Sequence, residues 1–159
     1  MKINLDRYNK IELMRIICTM DGSCRGTITS TRSKYCGQTF KVVWSYGLWG
    51  IALKVMPINR TYTYTSKHVE ITQKSINNFK KKITNTVDGA LDFFNRPLEA
   101  NDVIFYDGEL YRIAWFIKEN VAIQLIRNSE DWEDSIYFHH ISRLSDTILI
   151  DDPLLLLQV

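Results

Sequence analysis

Proline and glycine are sparse, three and seven in 159 residues, and no tract is enriched in either. That excludes collagen-like and Pro/Gly-rich disordered architectures. No apolar run approaches the roughly 18 residues that cross a bilayer as a helix. The opening MKINLDRYNKIELM places charges where a signal peptide needs an apolar core, so a soluble, cytoplasmic protein with no membrane partner is expected. Cysteine is scarce and odd in number. Cys18, Cys24 and Cys36 form no CxxC pair, which argues against a disulfide framework and, even with His68 added, against a zinc site built on closely spaced ligand pairs. No metal and no cofactor are expected. GxSxG, P-loop, HExxH and dinucleotide fingerprints are missing as well. His139 and His140 are adjacent, so on a strand they point to opposite faces and offer little for joint chemistry. A non-enzymatic protein is expected, with a small hydrolase using these histidines as the remotest reading.

What the chain does contain is an internal echo. GQTFKVVW at 37–44 returns as GELYRIAW at 108–115, matching Phe40 with Tyr111, Lys41 with Arg112 and Val42 with Ile113. Past a turn one residue shorter in the second copy, IALKV (51–55) aligns with VAIQL (121–125), so the offset drops from 71 to 70. A third block, TYTYTSKHVEI (61–71) against SIYFHHISRL (135–144), aligns by setting His68-Val69 on His140-Ile141. Phe40, Val42, Trp44 and Tyr46 alternate with Thr39, Lys41 and Ser45. Tyr111, Ile113, Trp115 and Ile117 keep that register, which assigns both tryptophans to a buried strand face. Asp107-Gly108 is a two-residue hairpin signal. Each copy reads as a meander of four or five short strands, too few for a two-sheet sandwich and enough for a small barrel, which removes most exposed edges.

Between the copies, Ile76, Phe79, Ile83, Val87, Leu91 and Phe94 recur at helical spacing. Thr72 or Ser75 is suited to cap the start, and Pro97 follows the end. The expected organisation is a basic N-terminal unit with a leader over 1–71, a connecting amphipathic helix over 72–97, and an acidic C-terminal unit with an apolar tail over 98–159.

A net charge of +2 conceals a strong asymmetry. Residues 22–96 hold 12 Lys or Arg against 3 acids, whereas residues 97–159 hold 4 against 12. Cations neutralise phosphates and release counterions, and exposed rings stack on bases or sugars. The candidate nucleic-acid contacts are the cations Arg25, Arg32, Lys34, Lys41, Lys54, Arg60 and Lys67, interleaved with Tyr35, Tyr46, Trp49, Tyr62 and Tyr64. Lys80, Lys81 and Lys82 either extend a phosphate track or form a solvated helix face. The acidic NSEDWEDS segment would repel phosphate and suits solvent, a basic protein or the first copy itself.

RGTITSTRSKYCGQTFKVVW, with its Gly26-x-Ile28 opening and interior Gly37, resembles the KOW motif of small SH3-like and Tudor-like barrels in transcription and ribosomal proteins. NDVIFYDGELYRIAWFIKENVAIQL…FHHISRL resembles the same barrel type. The tandem is similar to the DNA-binding transcription modulators among the early proteins of T4-type phages. The resemblance implies a mainly β fold with α, as two small SH3-like β-barrels joined by an amphipathic helix. It also implies duplex DNA as the ligand and a role in transcription or nucleoid function, although electrostatics alone would serve RNA equally. The competing reading is a protein-interaction adaptor or inhibitor of a host factor, acting through the acidic C-terminal half.

Overall fold

The computed structural model describes residues 5–47, 50–55, 60–126 and 136–151. The chain divides into two compact units that part between Lys82 and Ile83. The fold is mainly β with α, and each unit is built on one five-stranded antiparallel sheet.

The first unit runs α1 (Lys10–Met20), β1 (Cys24–Ile28), β2 (Thr39–Gly47), β3 (Gly50–Val55), β4 (Arg60–Tyr64), a 3-10 turn (Ser66–His68), β5 (Val69–Ile71) and α2 (Gln73–Lys82). The second has β6 (Val103–Tyr106), β7 (Glu109–Ile117), β8 (Asn120–Leu125), β9 (Ile136–His140), a 3-10 helix (Ile141–Asp146) and β10 (Ile148–Leu149). The sheet orders are β4-β3-β2-β1-β5 and β10-β6-β7-β8-β9. In both, the fifth strand follows a 3-10 segment and pairs with the first. Among the described residues, strand pairing closes neither sheet into a barrel. No helix among them is long and apolar enough to cross a membrane.

The repeat is geometric as well as sequential. Gly26 lies opposite Phe40 and Ile71, and Ile104 opposite Tyr111 and Leu149. Val42 faces Leu53 as Ile113 faces Ile123. Offsets of 71 for the second strand and 70 for the third therefore hold. The third block needs correction. Leu53 opposes Tyr62 and Ile123 opposes Tyr137, so the fourth strands align at an offset of 75. Thr65-Ser66, not His68-Val69, corresponds to His140-Ile141. Thr65 and His140 each stand at the N-cap of their 3-10 segment. The second of these is three residues longer, which moves the final strands further out of step.

Strict alternation also fails beside the tryptophan of the second copy, and the first copy's ladder is interrupted in the same stretch. Trp115 opposes Ala122 while Ile113 opposes Ile123, which leaves Ala114 as a bulge. A bulge inserts one residue and reverses the facing of all that follows. Ile113 and Phe116 consequently join one core with Ile104, Val121, Ile123, Ala90, Leu98 and Leu144. Trp115 and Ile117 are placed on the opposite face, where they too are buried. In the first copy the register shifts between Val43 and Gly47, and Trp44 is half-buried.

The connecting helix is shorter than its apolar spacing implies. Thr72 begins it, with its hydroxyl oxygen accepting from Ser75 N at 3.2 Å, and Ile76 and Phe79 are buried. It stops at Lys82. ITNTV follows, four β-branched residues in five, poorly suited to helix. There Thr84 and Phe116 exchange backbone hydrogen bonds of 2.8 and 2.9 Å. Val87, Ala90 and Leu98 pack on the second core, so residues 83–98 belong to the second unit. Asp92 holds the end of this segment. Its carboxylate accepts from the backbone N–H of Phe94 (2.9 Å), Arg96 (2.8 Å) and Leu149 (3.0 Å), and from Arg96 Nε (2.9 Å).

Residues ahead of β1, expected only as a leader, contain helix α1. Asn9 Oδ1 caps it by accepting from Glu12 N at 2.9 Å. Leu13, Met14, Ile16, Ile17 and Met20 form its buried stripe, and Gly22, at φ 72°, follows its end.

Candidate nucleic-acid interface

The first sheet carries polar residues along one face. Burial in β1 alternates, with Cys24, Gly26 and Ile28 inside and Arg25 exposed. Arg25 lies directly opposite Lys41, Lys41 opposite Lys54, and Lys54 opposite Thr61. Three exposed cations thus occupy one rung across three neighbouring strands. Strands lie about 4.8 Å apart, so the three span roughly 10 Å. Like charges directly opposite each other destabilise a sheet, and folding alone gives no reason to stack them. On the next rung Thr27 and Thr39 share a hydroxyl–hydroxyl hydrogen bond of 2.8 Å, adding two polar groups to the same face. These threonines were not legible as site residues, because only strand register reveals them as neighbours of the cations.

The candidate aromatics are elsewhere. Tyr62 and Tyr64 lie opposite Leu53 and Ile51, on the face opposite the cation rung. Tyr35 is on the ten-residue loop between β1 and β2, with its ring 5.7 Å from Phe40 and 5.6 Å from Tyr62. The hydroxyls of Ser33 and Tyr64 hydrogen-bond at 2.7 Å. These contacts pin the loop down, so Tyr35, Tyr62 and Tyr64 do not join the cation rung in one stacking and phosphate surface. Lys34 extends its ammonium over the Tyr35 ring, 5.1 Å from the centroid. Arg32 and Lys67 are exposed. Lys80 and Lys82 pair with Asp6 (4.0 Å) and Asp21 (2.8 Å), and Lys81 is exposed. Trp49 lies outside the described residues, as do the side chains of Tyr46 and Arg60 and the acidic NSEDWEDS segment.

The second unit does not repeat the cation rung. By register, Arg25, Lys41, Lys54 and Thr61 correspond to Val103, Arg112, Gln124 and Ile136. Only Arg112 retains the charge, and its guanidinium donates to Asn101 O at 3.1 Å. His140 caps the adjacent 3-10 helix, with Nδ1 accepting from Ser142 N at 3.1 Å. His139, opposite Val121, faces the other way. Cys18 and Cys24 are in thiol–thiol contact, and this hydrogen bond holds the Cys18 pKa down and the Cys24 pKa up. Cys36 is exposed. Among the described residues, no three His, Cys, Asp or Glu side chains gather closely enough to hold a metal ion.

Comparison of the chain with protein-family models, with curated proteins and with solved structures found no match.

Proposed function

We propose that the chain is a non-enzymatic DNA-binding protein that contacts phosphates through the exposed face of its first sheet. The observation that carries this reading is the Arg25–Lys41–Lys54 rung, a like-charge alignment opposed by sheet energetics and suited to a polyanion. The three cations span roughly 10 Å, about three axial steps along one strand of the duplex. Thr27 and Thr39 supply neutral hydrogen-bonding groups beside them. The charge division agrees, since residues 4–82 carry +10 and residues 83–159 carry −9.

We propose further that each unit is a small SH3-like barrel. The shared strand order, the 3-10 segment ahead of each fifth strand and the interrupted second strand favour two SH3-like barrels of the KOW and Tudor-like type. On that resemblance, duplex DNA is the preferred ligand, transcription or nucleoid function is the role, and the cytoplasm is the location. The T4-type phage transcription modulators remain the proposed relatives. His140 serves as a helix cap, which favours binding over hydrolysis.

The test is the salt dependence of affinity. Three phosphate contacts by the rung contribute a log–log slope of roughly −2.7, and each of Arg25→Ala, Lys41→Ala and Lys54→Ala removes about 0.9 of it. The variants should fold at least as well as the parent, because each relieves repulsion. Unchanged slopes in all three would reject the rung, and equal affinity for duplex RNA would reject the DNA preference.

A further inference from the structure

Two thiols meet where α1 leads into β1, away from the cation rung. Cys18 stands on the last turn of α1, and Cys24 opens β1. Cys24 lies inside with Gly26 and Ile28, while Arg25 is exposed on the other face. Val42 is directly opposite Cys24, and the Cys18 thiol donates to the carbonyl oxygen of that same Val42 at 3.6 Å. Helix and strand thus bring both sulfurs to one rung of the sheet, where they are in contact. The connection between them, TMDGS, turns at Gly22 with a φ of 72°. Asp21 ties that turn to α2 through Lys82 at 2.8 Å.

The two thiols are chemically unequal. Cys18 is half-buried and Cys24 is buried. The Cys24 S–H donates to the Cys18 sulfur and favours its thiolate. Burial opposes this, the Trp44 amide adds a second hydrogen bond, and the Cys18 pKa falls below its ordinary value. Cys24 moves the other way, raised by the same hydrogen bond, by burial and by the charges of Cys18 and Asp21. The thiolate is the nucleophile, and the thiol is not. The more accessible sulfur is therefore the one prepared to react, and its buried neighbour waits at contact distance as a resolving cysteine.

We propose that Cys18 and Cys24 are a modification site, closing into a reversible disulfide on reaction with a peroxide and so fastening α1 to β1. The Cys18 thiolate attacks one peroxide oxygen and the O–O bond breaks. The departing hydroxide takes up the proton that Cys18 had released and becomes water. Cys18 is now a sulfenic acid, and the peroxide has accepted two electrons. The Cys24 sulfur then attacks the Cys18 sulfur, the S–O bond breaks, and the second hydroxide leaves with the Cys24 proton. Two thiols and one peroxide give one S–S bond and two waters. An external thiol reverses the bond by exchange. Transient disulfides of this sort suit a reducing compartment, where permanent ones are rare. The site does not depend on the phosphate-binding rung, which lies on the other face.

The experiment exposes the full chain to hydrogen peroxide at neutral pH and digests it with trypsin. Both cysteines fall in the peptide IICTMDGSCR, residues 16–25, which should become two hydrogens lighter and regain its mass with dithiothreitol. With the exposed third cysteine removed by Cys36→Ser, free thiols should fall from two to none. Cys24→Ser should stop at the sulfenic acid, captured on Cys18 by dimedone. Cys18→Ser should leave Cys24 reduced, and it carries the test alone if the buried substitution fails to fold. Bridging should be faster in the folded chain than in the same chain unfolded in urea. The bridged form should also unfold at a higher denaturant concentration, because a bond across seven residues restricts the unfolded chain. Thiols that stay at two, a bridge to Cys36, or equal rates in folded and unfolded chains would overturn the site. A denaturation midpoint that does not rise would overturn the fastening of α1 to β1.

Discussion

Gly26 has no room for a side chain. A Cβ there would stand 2.5 Å from Val69 Cγ1 and 2.7 Å from Val42 Cγ2, both in the buried interior of the first sheet. Overpacking of this kind typically costs about 1–3 kcal/mol, so Gly26→Ala should lower the unfolding free energy of the first unit by that amount in a denaturant titration. A variant as stable as the parent would show that the three strands separate without cost. Asp92 makes the opposite case, a buried charge held by several donors. Burial alone would raise its pKa. The Leu149 and Arg96 amides, the Arg96 guanidinium and the Phe94 amide outweigh burial and lower it. A carboxylate depressed in the folded state stabilises fully above its unfolded pKa, about 3.9, and loses that contribution as pH falls through the lower folded value. Asp92→Asn should therefore cost about 1–3 kcal/mol at pH 7. Paired melts of parent and variant should converge as the medium is acidified below pH 4. A gap that persists undiminished in acid would assign the loss to geometry rather than charge.

At the scale of elements, the departures from sequence pattern share a cause. The bulge at Ala114 lets β7 present Ile113 and Phe116 to one core while Trp115 and Ile117 are buried on the other face. Alternation read from sequence assumes an unbroken ladder, and nothing in YRIAWFI announces the extra residue. The helix after β5 is similar. Ile83, Val87, Leu91 and Phe94 continue the spacing of Ile76 and Phe79, yet β-branched residues and pairing with Phe116 divert the chain after Lys82. Apolar residues at helical intervals also suit an irregular segment that touches a core at Val87, Ala90 and Leu98. By contrast, Asp107-Gly108 formed the expected hairpin because its determinant is local backbone freedom at two residues. Helix α1 had legible signals too: Asn9 at the cap, Glu12 three residues on, and Leu13, Ile16, Ile17 and Met20 at helical spacing.

For the whole molecule, the boundary between units has moved from the end of the apolar pattern to Lys82–Ile83. A fragment of residues 97–159 lacks Ala90, which belongs to the second core, and Asp92, which holds Leu149 in place. A fragment of residues 83–159 retains both. The longer fragment should show a cooperative thermal transition and dispersed amide resonances, and the shorter should show neither. Cooperative folding of 97–159 would return residues 83–96 to the status of a connector. Binding experiments that divide the charge between halves belong on the longer fragment, where loss of affinity can be separated from loss of structure.

The sequence by itself determined the duplication, the mainly β character, the tight second hairpin and the concentration of positive charge in the first half. These follow from local torsional preference, from short-range periodicity and from a charge count, none of which requires knowing a partner strand. Tertiary structure alone decided which cations share a rung, which rings are covered and where the helix gives way to extended chain. Arg25, Lys41 and Lys54 are far apart in sequence and become neighbours only through the register of β1, β2 and β3. Tyr62 meets Tyr35 while its counterpart Tyr137 is exposed, because a ten-residue loop can fold back over its sheet and a two-residue turn cannot. Register and loop return are long-range contacts, selected by the packing of the whole unit, and no window of neighbouring residues encodes them.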